Sequence, residues 1–315
     1  MDYYSGKWKI QASGGSLLKW LDSYWTCWFQ SVRSCGAISF KFQPSSGVKL
    51  LLYADDIKLL LMVRSERDAI ILQGELERLL QWSVSNSLPI NYNICKVISF
   101  CKGDYCFYAH YKLAKIDLER VEHIRDLGEI MDKSLSFNEQ LQVVVKNCLR
   151  IFSFIRNVTI DFNYPQTIAY LHKTLLLPIL TYCLPIWCPK TETSLKELIS
   201  IEHKYLRYAI SKTSSPMHFF DHDYTQIRNV LGLKSLRSLI LEIDYLVAYK
   251  ISKHLYNFSE VNVLFKRRVF SHNLRKIREL ENKKAVPNYI SKSTPFRLRD
   301  SWNLMENNET KNVYK

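Results

Sequence analysis

The clearest pattern in the chain is a pair of apolar runs separated by a short polar step. Residues 49–63 read Lys-Leu-Leu-Leu-Tyr-Ala-Asp-Asp-Ile-Lys-Leu-Leu-Leu-Met-Val. A single helix would bury Asp55 or Asp56 among leucines, which is costly for a charged group. Two short buried strands joined by a tight turn fit the pattern better. We therefore predict a hairpin whose turn carries Asp55 and Asp56.

A helix is predicted directly after this hairpin, over residues 65–82. Ser65, followed by Asp68 three positions later, is typical of a helix N-cap with a capping-box variant. The apolar face of this helix is formed by Leu72, Leu76, Leu79 and Leu80.

Short strands and turns are expected around and beyond that helix. Residues 32–42 alternate weakly and favour strands, and residues 86–91 are expected to turn. Further strands are expected at 97–100, 105–111 and 123–131.

From residue 134 onward the apolar period becomes that of helices. Helices are predicted from Phe137 to Ile155 and at 164–177, 192–210, 224–231 and 235–256. Strands followed by helices indicate an α+β unit and then an all-α unit, with a boundary near residue 133. We divide the chain into segments 1–48, 49–133, 134–260 and 261–315, and we expect the first to be poorly packed.

The chain is strongly basic. Its 315 residues include 44 Lys and Arg against 30 Asp and Glu, a formal net charge of +14. Such an excess favours a polyanionic partner, either nucleic acid or an anionic membrane surface. An aromatic content of 13% favours nucleic acid, because bases stack on aromatic rings. A basic balance without a polyanionic partner is the plainer alternative.

The densest basic run lies near the C-terminal end of the chain. Phosphate contacts are one interpretation of this run, and a solvated helix face is the other. The candidate residues are Lys266, Arg267, Arg268, Arg275, Lys276, Arg278, Arg297 and Arg299.

The eight cysteines contain no CxxC pair. Cys101, Cys106 and His110 have only a weak zinc-site spacing, so we expect mostly reduced core thiols. Residues 1–10 lack the apolar segment of a signal peptide, and the longest apolar run, 175–188, is too short to span a bilayer. Neither a secretion signal nor a membrane-spanning segment is expected.

Tyr53-Ala54-Asp55-Asp56 is the motif with the most chemistry. Adjacent carboxylates repel each other unless a cation neutralises them. Divalent metal ions at such a turn can activate a 3′-hydroxyl and stabilise a leaving pyrophosphate. The alternative is an Asp-Asp turn on an ordinary surface hairpin.

This motif, flanked by apolar strands, resembles motif C of reverse transcriptases, specifically those of non-LTR (LINE-like, jockey-type) retrotransposons. Further sequence blocks resemble blocks of that family and follow one another in the same order. Together they extend the resemblance over nearly all of residues 16–305. The blocks contain Leu72, Gln73, Leu76, Leu79 and Trp82; then Asn86, Leu88, Ile90, Asn91, Cys95, Ser99 and Phe100; then Leu127, Gly128, Asp132, Leu135 and Phe137; then Leu175, Pro178, Leu180, Tyr182 and Trp187.

The resemblance implies a fold and an activity. The expected fold is a partial palm over residues 30–133, an antiparallel sheet with one helix packed on it, followed by a helical thumb and connector. The activity of the family is RNA-directed DNA synthesis, a nucleotidyl transfer from dNTP onto an RNA or DNA template-primer. Asp55 and Asp56 would be catalytic and would bind Mg²⁺. The family also implies an intracellular location, in the nucleus or cytoplasm, and no membrane partner.

The chain departs from the family pattern at three places. The segment before residue 16 shows no motif A, which would supply the other catalytic aspartate. Ser46-Gly47-Val48 joins directly to Lys49, so that the motif B helix is missing, and Ile94 stands where motif D has lysine. Two-metal chemistry needs the carboxylates of both motifs A and C. We therefore expect weak Mg²⁺ binding and no polymerase activity from this chain alone.

Two further interpretations remain open. The helices of residues 134–260 and the basic tail are also consistent with a nucleic-acid-binding module retained from a mobile element. A third interpretation is a complementing subunit that lends Asp55 and Asp56 to another chain. That interpretation ranks last, because palm strands normally pair within one sheet.

Overall fold

The computed structural model describes residues 42–53, 56–101, 106–161, 164–212, 224–252, 294 and 296–303, together with the backbone of three short N-terminal strands. The chain divides into two compact units between Ser136 and Phe137. We call the first the sheet unit and the second the helical unit, and describe each by itself.

The described strands all belong to the sheet unit. They are β1 (Trp8–Ser13), β2 (Arg33–Ser34), β3 (Ala37–Ile38), β4 (Lys49–Tyr53), β5 (Asp56–Leu61), β6 (Lys96–Phe100), β7 (Lys112–Leu113), β8 (Ile116–Asp117), β9 (Glu119–Val121), β10 (His123–Asp126) and β11 (Glu129–Asp132). Five of them form one sheet in the order β4-β5-β1-β6-β9.

The predicted hairpin around the two aspartates is confirmed. β4 and β5 pair antiparallel, with Leu51 opposite Lys58 and Tyr53 opposite Asp56. Ala54 and Asp55 lie outside the described residues.

The mixed α and β content is confirmed, but the expected antiparallel sheet is wrong for most pairings of the main sheet. β1 runs parallel to both β5 and β6, and β6 runs parallel to β9. β5 and β6 point the same way because a helix crosses between them, which is the usual link between parallel strands. Antiparallel pairing holds at β4–β5 and in the two-stranded sheets β2–β3, β7–β8 and β10–β11.

The crossing helix, α1 (Glu66–Ser85), begins at the predicted cap. The Asp68 backbone N–H donates to Ser65 Oγ at 3.4 Å, and the Ser65 N–H donates to Asp68 Oδ2 at 3.0 Å. Its leucines cover one face of the sheet. The core there includes Ile57, Leu59, Leu61, Leu72, Leu76, Leu79 and Val97.

Two strand predictions need correction. Residues 106–111, expected in a strand, have no regular structure, and the short pair β7–β8 follows them. Residues 123–131, expected as one strand, form the two strands β10 and β11. The chain reverses between them at Leu127 (φ 47°) and Gly128 (φ 93°).

The cysteines follow the expectation only in part. Cys95, Cys148, Cys183 and Cys188 are reduced thiols outside any disulfide, as expected. Cys101 and Cys106 are joined by a disulfide, so the expectation of reduced thiols is wrong for this pair. The two cysteines are five positions apart, and no other pattern in the sequence marks them as partners.

The helical unit packs a series of helices around a buried aromatic core. Trp187 and Tyr205 are its largest fully buried side chains, and the Trp187 Nε1–H donates to the Tyr182 carbonyl at 2.8 Å. The helices are α2 (Asn138–Val158), α3 (Pro165–Leu171), a π-helical turn (His172–Leu176), α4 (Leu177–Thr181), α5 (Leu184–Trp187), α6 (Glu192–Ser211), α7 (Tyr224–Leu231) and α8 (Leu236–Ser252). Residues 296–303 are helical as well.

Across the part of the chain that the structure describes, no helix combines the length and apolar character needed to cross a membrane.

Candidate functional site

The register of the β4–β5 hairpin locates the Tyr-Ala-Asp-Asp motif. Because Tyr53 pairs with Asp56, only Ala54 and Asp55 connect the two strands, and Asp55 therefore belongs to the hairpin tip. The side chain of Tyr53 is 53% exposed, and Asp56 is half-buried. Both described residues of the motif are thus at least partly accessible to solvent.

Alternation along β5 assigns its side chains to two faces of the sheet. Ile57, Leu59 and Leu61 pack on the side of α1. Asp56 and Lys58 therefore share the opposite face, two residues apart.

A buried ion pair lies on that opposite face. Lys58 Nζ is 2.7 Å from Asp126 Oδ1 and 2.8 Å from Oδ2, and the two side chains are 1% and 0% exposed. Removing both charges from water is costly, and the short contacts to both oxygens offset that cost. The sequence gives no signal for this pair, because Lys58 stands inside an apolar run 68 positions from its partner.

The strand beside β5 supplies no carboxylate. β1 reads Trp-Lys-Ile-Gln-Ala-Ser, and it lies between β5 and β6 in the sheet. Two-metal chemistry would need a further carboxylate near the hairpin tip. Among the described residues, no group of three or more His, Cys, Asp or Glu side chains is arranged to hold a metal ion.

Asp132, which belongs to the sequence block that begins with Leu127 and Gly128, stabilises the chain around it. Its carboxylate accepts hydrogen bonds from the backbone N–H groups of Ser134 (2.9 Å) and Ser136 (3.1 Å) and from both serine hydroxyls. It therefore fixes the chain where β11 ends.

The motif D position carries no proton donor. Ile94 ends a 3₁₀ turn (Tyr92–Ile94), and Lys96 at the start of β6 forms an exposed ion pair with Glu119 at 2.9 Å. Lys96 is thus held at the start of β6, an interior strand of the sheet, by a partner of its own.

Most of the candidate phosphate contacts in the basic tail, residues 266–278, lie outside the described residues. Arg297 donates to both oxygens of Asp244, at 2.6 and 3.0 Å, and to the Pro185 carbonyl at 2.8 Å. The Arg299 guanidinium bonds to Asp300 at 3.0 Å and lies over the Phe296 ring. Both guanidinium groups are therefore engaged within the protein.

A different basic surface is present on the helical unit. Residues 140–191 contain one carboxylate, that of Asp161, against five Lys and Arg. Lys146, Arg150 and Phe154 follow one another at four-residue spacing on α2, and all three are exposed. Neither cation has an ion-pair partner among the described residues. Sequence periodicity predicted the helix but did not single out this face.

Exposed aromatic side chains accompany these cations. Phe154, Tyr164, Tyr170 and Tyr182 are between 53% and 68% exposed. Phe154 lies one helical turn from Arg150, and the tyrosines follow within the same stretch of chain. Exposed rings and exposed cations are the groups that a single-stranded nucleic acid binds through stacking and phosphate contacts. We call Lys146, Arg150, Phe154, Tyr164, Tyr170 and Lys173 the α2–α3 surface.

One buried histidine of the helical unit is chemically unusual. Neither ring nitrogen of His172 has a hydrogen-bond partner among the described residues, and its ring packs on Tyr205 with centroids 4.8 Å apart. Burial, together with the neighbouring Lys173 charge, lowers the pKa of His172 to about 4. The imidazole is therefore neutral at physiological pH, and its site in the core excludes it from surface chemistry.

Comparisons of the chain with protein-family models, with curated proteins and with solved structures found no match.

Proposed function

We propose that this chain is a reverse-transcriptase-like protein of the non-LTR retrotransposon type whose catalytic centre is incomplete. The single observation that carries the proposal is the hairpin register, which leaves Ala54 and Asp55 as a two-residue tip between Tyr53 and Asp56. The order of the surrounding elements supports it, because a helix and a return strand, α1 and β6, follow the hairpin.

Loss of polymerase activity is part of the proposal. β1, which lies next to β5, has no Asp or Glu, and β4 follows Val48 without an intervening helix. Asp55 and Asp56 alone offer a divalent ion few hard oxygen ligands, so that binding should be weak. Without two positioned metal ions, neither the attacking hydroxyl nor the leaving pyrophosphate is stabilised.

Titration with Mn²⁺ tests the carboxylate hairpin. We expect weak binding that Asp55→Asn/Asp56→Asn removes. The matched control is Asp117→Asn/Glu119→Gln, which neutralises two exposed carboxylates of the same unit and should leave Mn²⁺ binding unchanged. Equal loss of binding in both variants, or no loss in the first, would contradict a metal site at the hairpin.

A second candidate function, nucleic-acid binding without chemistry, is favoured by the α2–α3 surface. A stretch of 52 residues with a single carboxylate, in a protein of net charge +14, attracts phosphate over a wide area. The exposed rings on the same stretch suit unpaired bases, so we propose single-stranded RNA or DNA as the ligand.

Salt dependence tests this second candidate. On a single strand, the slope of log K against log salt changes by about 0.7 for each phosphate contact. We expect Lys146→Gln/Arg150→Gln to reduce the slope by about 1.4, two contacts on that scale. Lys234→Gln is the control, because Lys234 is exposed but bonded to Glu242 at 2.7 Å, and it should change the slope little. A flat salt response of the unmodified protein would contradict the proposal.

A further inference from the structure

In the block that contains Leu127, Gly128 and Asp132, only Asp132 has been given a role so far. It forms the β10–β11 hairpin, in which Asp126 pairs with Glu129 across a two-residue turn. Asp126 is also the residue that meets Lys58 of the main sheet. The block therefore touches the strand that begins with Asp56.

The contact between β5 and the β10–β11 hairpin is an ion pair, and an apolar contact there would avoid the cost of removing two charges from water. Lys58 lies between Ile57 and Leu59, both buried, and its own side chain is 1% exposed. Lysine is almost never fully buried unless it is paired. Apolar residues of similar volume often replace a buried ion pair without loss of stability. The main contribution of the pair is therefore to fix the geometry of the contact, not to add to the free energy of unfolding.

The position of Asp126 is set by the turn that follows it. Leu127 and Gly128 both have positive φ, as a type I′ hairpin turn requires. Leucine adopts this conformation only at an energetic cost, which the surrounding structure must offset. At the far end of β11, the hydrogen bonds of Asp132 to Ser134 and Ser136 fix the chain again.

Lys58 and Asp56 are neighbours on one face of β5, roughly 7 Å apart along the strand. Fixing the ammonium of Lys58 therefore fixes the part of β5 that leads into the Asp55–Asp56 tip. The two carboxylate oxygens of Asp126 hold that ammonium from a hairpin outside the main sheet.

We propose that Lys58 and Asp126 are positioning residues that clamp the carboxylate hairpin against the β10–β11 hairpin. The Leu-Gly block thereby acts as a brace for the strand that carries Asp56. The functional meaning of this brace rests on the proposed reverse-transcriptase-like site, but the clamp itself requires no metal ion or nucleotide.

Hydrogen–deuterium exchange of the full chain, read by mass spectrometry under native conditions, tests the clamp. In Asp126→Asn, we expect residues 49–61 and 123–132 to exchange about tenfold faster, through local opening. Residues 66–85 and 96–100 should keep their rates, whereas a merely structural loss would raise exchange throughout the sheet unit. The control is Glu122→Gln, which breaks the exposed ion pair with Lys133 and should leave residues 49–61 unchanged.

A second variant separates positioning from space filling. Lys58→Met/Asp126→Leu removes both charges, and we expect a urea midpoint near that of the unmodified protein with residues 49–61 still exchanging several-fold faster. Exchange restored to the original rate in this variant, or an equal rise across the whole sheet unit in Asp126→Asn, would overturn the clamp. Mn²⁺ binding that Asp55→Asn/Asp56→Asn does not remove would count against the proposed function and leave these exchange results interpretable.

Discussion

The sheet unit and the first helices of the helical unit carry charge in opposite ways. In the sheet unit, Lys58 and Lys96 are each held by a carboxylate. On α2, Lys146 and Arg150 are exposed on a stretch almost without carboxylates. Paired charges fix a geometry, whereas unpaired exposed cations attract an external anion. A single substitution at the buried pair should therefore have a large effect on the sheet unit, whereas substitutions on the α2–α3 surface should weaken anion binding in small steps.

The largest effect is expected from removing one member of the Lys58–Asp126 pair. Asp126→Leu removes the carboxylate that makes both short contacts to the buried Lys58 ammonium, which should lower the free energy of unfolding by about 3–5 kcal/mol. Urea denaturation measures this loss, and Glu122→Gln, at an exposed pair of the same unit, should cause no measurable change. A loss as small as that of the control would show that the buried pair is not an intact charge pair.

A pH effect should follow from His172 in the helical unit. Its pKa is lowered from 6.5 to about 4, so the unfolded chain binds a proton over this range while the folded chain does not. The stability is therefore full above pH 6.5 and is lost as pH falls toward 4, by about 3 kcal/mol in total.

Denaturation at pH 7 and pH 5 measures the His172 effect. His172→Phe should remove most of the difference, and His110→Gln, at an exposed histidine, should leave it unchanged. Equal pH dependence in the unmodified protein and His172→Phe would contradict the buried neutral imidazole.

The fold was predictable where one local pattern decided it. Ser65 and Asp68 predicted the start of α1, and the two polar residues Asp55 and Asp56 between apolar runs predicted the hairpin. β1 was missed, although Trp8 to Ser13 alternates between apolar and polar residues, because a strand of six residues is a weak signal on its own.

Other features could not be derived from local sequence. The turn between β10 and β11 places Leu127 at positive φ, which is rare for leucine and has no local signature. The parallel pairing of β1 and the Lys58–Asp126 contact depend on segments far apart in the chain. For the site, sequence identified the aspartates, but it identified neither the buried cation beside them nor the exposed face of α2.

The smallest effects are expected at the two helix caps, which allow a matched comparison between the units. Ser65 caps α1 within a reciprocal capping box, whereas the Thr191 hydroxyl caps α6 by accepting from the Ser194 N–H at 3.2 Å. Ser65→Ala and Thr191→Ala should each lower the free energy of unfolding by about 1 kcal/mol. The loss at Ser65 should be the larger, because the Ser65 hydroxyl also donates to the charged Asp68 carboxylate at 3.0 Å, whereas the Thr191 hydroxyl donates to the neutral Ser194 hydroxyl at 2.8 Å. Thermal unfolding measures both, and a larger loss at Thr191 would contradict the structural difference.

One assay tests the central account most directly, by following a labelled DNA primer on an RNA template with Mg²⁺ or Mn²⁺ and all four dNTPs. The unmodified chain and Asp55→Ala/Asp56→Ala are run side by side, with binding read as a mobility shift and synthesis as primer lengthening. We expect both proteins to shift the template-primer at low salt and neither to lengthen the primer. Lengthening by the unmodified chain that the double variant lacks would mean that another carboxylate completes the metal site, and the proposed loss of activity would be wrong.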